Sequence, residues 1–123
     1  MASLYERVGG EPFFTALVER FYAGVATDPL LRPLYPEQLE ASKVHLALFL
    51  EQYWGGPTTY SDQRGHPRLR MRHAHFLIGA AERDAWLRHM TSAVKAAGLD
   101  EADEGELLAY FAMAARSLEN VGG

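Results

Sequence analysis

Apolar side chains recur three and four positions apart along most of this chain, and no segment keeps the alternation of a strand. Ser3 and Glu6 make a Ser-x-x-Glu capping box, which predicts a short first helix from Leu4 that stops at Gly9-Gly10. Pro12 suits the first turn of a second helix. Phe14, Leu17, Val18, Phe21, Tyr22 and Val25 then mark one buried face. Asp28-Pro29 predicts a further helical turn through Arg32, since aspartate caps well and proline is tolerated just after a cap. Tyr35-Pro36 reads as a corner. A helix is expected from Glu37 to Trp54, with Leu39, Ser42, Leu46, Phe49 and Tyr53 on one stripe and Leu50 beside it. Gly55-Gly56-Pro57 stops it. Residues 57–66 show no consistent period and read as a loop, and a loop that long in a compact domain is usually functional. Pro67 to His73 allows at most two helical turns. Two more helices are expected: Ala80 to Ala97, with Trp86, Met90, Ala93, Val94 and Ala97 inward, and Asp103 to Asn120, with Leu107, Leu108, Phe111, Ala115 and Leu118 inward. The expectation is an all-α protein, one domain over residues 1–123, with four substantial helices and three short ones.

Composition narrows the function. The chain has 123 residues, 48% apolar and 23% charged, with a net charge of -4. An acidic balance argues against general nucleic-acid binding, which needs a basic surface. With no cysteine, disulfides, thiolate metal sites and cysteine nucleophiles are excluded. The apolar runs are too short to span a bilayer, and no signal-peptide layout opens the chain. A cytoplasmic protein with no membrane partner is expected.

The stretch from Phe49 to Phe76 carries the densest candidate chemistry. An aromatic-rich helix leads into the loop, which is followed by a basic segment with Arg64, Arg68, Arg70 and Arg72 and then His73. Such a combination suits a flat, anionic, metal-bearing ligand, and haem is the foremost candidate. A neutral imidazole at His73 would bind iron and leave the opposite axial position open. The plainer reading of His73 is an exposed histidine beside arginines. Arg68, Arg70 and Arg72 cannot share one helical face, so at most two reach a common ligand; Arg72 and Tyr60 are the best anchors for its carboxylates. A solvated charge run and a nucleic-acid patch are the alternatives. Tyr22, Tyr35 and Trp86 place polar groups among apolar ones. Each needs a partner if buried, and the three could instead converge on one ligand. His45, His66 and His89 read as surface or supporting groups.

Taken together these residues resemble the truncated haemoglobins, specifically their second group. The resemblance covers nearly the whole chain. It rests on Val8-Gly9-Gly10, Phe21-Tyr22, Leu34-Tyr35-Pro36, Phe49 through Pro57 (FLEQYWGGP), Tyr60-Ser61, Arg64 through His73 (RGHPRLRMRH) and Glu82 through Leu87 (ERDAWL). It implies a two-over-two helical sandwich around haem b (iron protoporphyrin IX). It makes His73 the proximal iron ligand, Tyr22 and Trp86 distal hydrogen-bond donors, and Tyr35 a third polar group over the haem. Ser42 and Leu46 would face the ligand, and Phe21 and Phe49 would be apolar walls. Two departures stand out: His75 lies two residues past His73, and His45 occupies a position where relatives often carry an arginine that meets a propionate.

The implied function is binding of dioxygen, nitric oxide and carbon monoxide. Donors fixed in place stabilise negative charge that builds on a bound gas without having to reorient. Two such hydrogen bonds, each about 1.5–3 kcal/mol, would make release slow. Slow release suits oxygen transport poorly. It fits nitric oxide dioxygenation or peroxide chemistry, with a separate reductase as partner. A gas sensor or oxygen-binding module that works through a partner without turnover is the alternative. A cofactor-free helical protein that grips nucleic acid through its arginines is a third reading.

Overall fold

Leu4–Arg7 (α1), Glu11–Ala26 (α2), Glu40–Tyr53 (α3), Thr59–Arg64 (α4), Ala80–Lys95 (α5) and Glu101–Leu118 (α6) are α-helical, with a 3-10 turn at Arg32–Leu34. They are drawn from a computed structural model that describes residues 2–68, 73 and 78–120. Among the described residues there is no strand, and no helix is long and apolar enough to cross a membrane.

The chain starts as its caps dictate. The Ser3 hydroxyl accepts from the Glu6 N–H at 3.2 Å. Gly9 and Gly10 end the turn at φ 105° and 77°, in the left-handed region open to glycine. Pro12 lies in the first turn of α2, and Phe14, Leu17, Val18, Phe21, Tyr22 and Val25 are all buried as their spacing predicts. Helix α2 packs against both α3 and α5, and α5 packs against α6. The result is a two-over-two helical sandwich. Its core runs through Phe14, Leu17, Phe21, Met90, Val94, Leu107 and Phe111, all essentially closed to solvent.

Asp28 caps the turn after α2, accepting from the Leu30 N–H at 2.8 Å. Its other oxygen lies 2.7 Å from His89 Nε2 on α5. The turn tightens into the 3-10 segment rather than ending at Arg32. At the other end, α6 begins earlier than expected because Asp100 accepts from the Asp103 N–H at 2.8 Å.

Three expectations need correcting. Helix α3 begins at Glu40, not Glu37, and no side chain caps its start. Its inward stripe is split: Ala47, Leu50 and Glu51 are buried, whereas Tyr53 is 50% exposed. Ser42, Leu46 and Phe49 line a cavity, with Leu46 and Phe49 also packed against the core. Residues 57–66 are not all loop, since Thr59–Arg64 forms α4. Tyr60 is the lone buried residue of that helix, so no apolar period betrays it. It is held on α3 by the Tyr60 ring, edge-on to Phe49 at 5.6 Å, and by Gln52, whose amide donates to Ser61 Oγ at 2.7 Å and whose carbonyl accepts from the Ser61 N–H at 2.9 Å. The short helix expected from Pro67 lies largely outside the described residues, but His73 is itself helical.

Candidate ligand cavity

A cavity of about 410 Å³ opens between the two helical layers. Helix α2 contributes Phe21 and Tyr22, and α3 contributes Ser42, His45, Leu46, Phe49 and Leu50. Tyr35 enters from the corner, and Tyr60 and Arg64 from α4. Glu82, Arg83 and Trp86 come from α5; Tyr110, Phe111, Ala114, Ala115 and Leu118 come from α6. His73 lines the cavity as well.

Three donors gather at one side of it. Tyr22 is 4% exposed, and its ring stands edge-on to Tyr35 at 5.5 Å and to Phe21 at 5.0 Å. Phe21 in turn meets Trp86 edge-on at 5.3 Å. The Trp86 indole N–H is close to the Tyr35 hydroxyl, and the Ser42 hydroxyl is close to that of Tyr22. Burial pushes the Tyr35 pKa up to about 12, offset in part by the Trp86 contact. Burial, with Tyr35 beside it, carries Tyr22 well above the ordinary phenol range, and Ser42 offsets part of that. Both tyrosines therefore keep their protons at neutral pH and can donate.

The rim is basic. Arg64 reaches His45 Nε2 at 3.2 Å and lies 5.9 Å over the Tyr60 ring. Arg83 is engaged by Glu119 and by Asp84. Among the described residues no cluster of three histidine, aspartate or glutamate side chains could hold a bare metal ion.

The bacterial-like globin family profile matches residues 3–120. The chain belongs to the bacterial-like globins. Within them it is a group II truncated haemoglobin. It is 39% identical over 116 residues to the group 2 truncated haemoglobin YjbI of Bacillus subtilis, which covers 94% of this chain and 87% of the relative. The thermostable haemoglobin of the actinobacterium Thermobifida fusca superposes with a TM-score of 0.97 at 54% identity, covering 99% of this chain and 100% of that one. A truncated haemoglobin of Bacillus subtilis described as oxygen-avid superposes with a TM-score of 0.91 at 38% identity, covering 97% and 100%.

Globins imply haem, and the donor set of this globin fits it. One imidazole is too few for a bare metal ion but enough for an iron already held by four porphyrin nitrogens. The apolar walls suit a flat macrocycle, and Arg64 and His45 at the rim suit its anionic edge. Of the residues singled out from the sequence, Phe21, Tyr22, Tyr35, Ser42, His45, Leu46, Phe49, Tyr60, His73 and Trp86 all line this one cavity. Arg72 lies outside the described residues. His89 and His66 sit elsewhere: His89 on Asp28, and His66 accepting from the Arg68 N–H at 3.1 Å.

Sequence reasoning missed part of the lining and one support. Phe111, Ala114 and Leu118 share an α6 stripe at spacings of three and four that could have been read as a wall. Arg83 gave no signal among so many surface cations. Asn120 gave none either. Its side-chain oxygen accepts from the Ile78 N–H at 2.9 Å, its amide donates to the His73 carbonyl at 3.2 Å, and its own N–H donates to Ile78 at 2.8 Å. One side chain thus ties the end of α6 to both described residues that flank the 74–77 segment.

Proposed function

We propose that this globin holds haem b through His73, binds dioxygen and other diatomic gases tightly, and uses that binding oxidatively, in nitric oxide dioxygenation or peroxide chemistry. The observation that carries the reading is the convergence of Tyr22, Tyr35 and Trp86 on a cavity that His73 also lines. Haem, when bound, would supply an iron able to take up a diatomic gas. The chain supplies the rest. His73 offers a neutral nitrogen. Phe21, Leu46 and Phe49 exclude water from the cavity. Tyr22, Tyr35 and Trp86 are donors fixed in place before charge develops on a gas beside them, so no reorganisation is needed. The oxygen avidity of the Bacillus subtilis relative agrees with a donor-rich cavity. Slow release favours chemistry over transport, and a reductase partner would return the iron to its gas-binding state.

Replacing His73→Ala tests the ligand. The parent should take up haem in a single saturating step and give a five-coordinate ferrous spectrum, and the variant should lose that spectrum. A variant that keeps it sinks the assignment. Rapid mixing of the oxygenated protein with nitric oxide tests the dioxygenation, which release of free dioxygen without nitrate would remove; failure of the ferric protein to consume hydrogen peroxide would remove the peroxide chemistry.

A further inference from the structure

Asn120 turns its backbone N–H and both ends of its side-chain amide toward the part of the chain that carries His73. The N–H donates to the Ile78 carbonyl at 2.8 Å, Oδ1 accepts from the Ile78 N–H at 2.9 Å, and Nδ2 donates to the His73 carbonyl at 3.2 Å. Both partners line the cavity. We infer that Asn120 is a positioning residue, which fixes where the His73 imidazole stands in that cavity. This rests on the reading of His73 as the ligand of a bound haem.

The two partners demand an amide. Ile78 presents a donor and His73 an acceptor. An asparagine side chain offers one of each, a carboxylate offers acceptors alone, and an apolar side chain offers neither. The opposite polarity of the partners also decides which end of the amide meets which.

Helix capping does not account for these contacts. Glu119 ends α6, with its N–H on the Arg116 carbonyl, and is extended at ψ 125°. Asn120 therefore stands outside the helix, where its groups owe nothing to the helical ladder. Its footing is firm, because the Glu119 carboxylate pairs with Arg83 on α5, and Arg83 lines the cavity too. Asn120 thus holds positions 73 and 78 at once against a point fixed by two helices. Groups that orient a metal ligand shape the site as much as the ligand does. A His73 peptide left to rock would carry its imidazole with it.

The test uses the haem-loaded full chain. Resonance Raman of the ferrous, gas-free protein reads the iron–histidine stretching band, and transfer to excess apomyoglobin reads the rate of haem loss. Asn120→Asp keeps the size of the side chain and the acceptor for Ile78 but removes the donor to His73. It should shift or broaden the band and speed haem loss about two- to tenfold, the worth of one neutral hydrogen bond. Its Ile78 amide should stay protected from hydrogen exchange. Asn120→Ala should disturb the band and the haem at least as much, and should also expose the Ile78 amide. If both variants keep the parent's band, Asn120 only secures the chain end and the inference fails, even where haem loss quickens in step with a lower urea midpoint of the haem-free protein; His73 remains the ligand. If His73→Ala keeps the parent's band, the ligand reading falls and the positioning role falls with it.

Discussion

Trp86 and Tyr35 lie side by side on the cavity wall, and each can donate into it. Replacing Trp86 by phenylalanine removes the indole N–H without emptying the wall, because an aromatic ring stays against Phe21. Trp86→Phe should therefore speed dioxygen release roughly ten- to hundredfold, the loss of one hydrogen bond to a charged acceptor. Stopped-flow release kinetics check this, and an unchanged rate would remove Trp86 from the ligand environment. The tyrosines make a separate prediction about pH. Folding raises Tyr35 and Tyr110 to about 12 from an ordinary 10.0, and moves Tyr22 the same way. Above pH 10.0 the unfolded chain loses these protons first, so it binds fewer than the folded chain. Stability should thus be insensitive to these groups below that pH and fall as pH rises toward 12. Urea midpoints at pH 9 and 11 measure it; a midpoint that rises over this interval contradicts the burial of the phenols. These residues were legible in the sequence because a polar group on an otherwise apolar helical stripe is conspicuous. Asn120 was not, because nothing local marks a surface asparagine as the partner of a carbonyl 47 positions away.

At the level of helices, close approach matters as much as period. A Cβ on Gly24 would lie 2.4 Å from His89 Nδ1. His89 cannot swing aside freely, because Asp28 holds its other ring nitrogen at 2.7 Å. Gly24→Ala should therefore destabilise the fold by about 1–3 kcal/mol, the usual cost of overpacking. A lower urea midpoint at constant slope is the expected result. If the variant is as stable as the parent, the α2–α5 crossing has slack that the structure does not display. The long helices were readable because each buries a continuous stripe. Helix α4 was not, because one buried ring, Tyr60, and the Gln52–Ser61 pair attach it, with no apolar stripe. The false start of α3 has a similar cause: Leu39 fits the stripe, but nothing caps the backbone before Glu40.

For the whole molecule, the cavity draws its walls from residues between positions 21 and 118, so no window of sequence contains it. Periodicity supplied the helices, and the motifs through FLEQYWGGP and RGHPRLRMRH supplied the family. Which stripe faces core and which faces cavity needed the packing of α2 on α3 and α5. Ser42, Leu46 and Phe49 look inward to a one-dimensional reading, yet they point into a space that only the assembled layers create. The same assembly gives the end of α6 an unexpected duty. Because Asn120 fastens that end to the His73 carbonyl, fraying there reaches the cavity long before the bundle comes apart. Warming should bleach the pigment at a lower temperature than it erases far-ultraviolet ellipticity, and Asn120→Ala should widen that gap. Coincident curves for both proteins would mean the tether carries no tension.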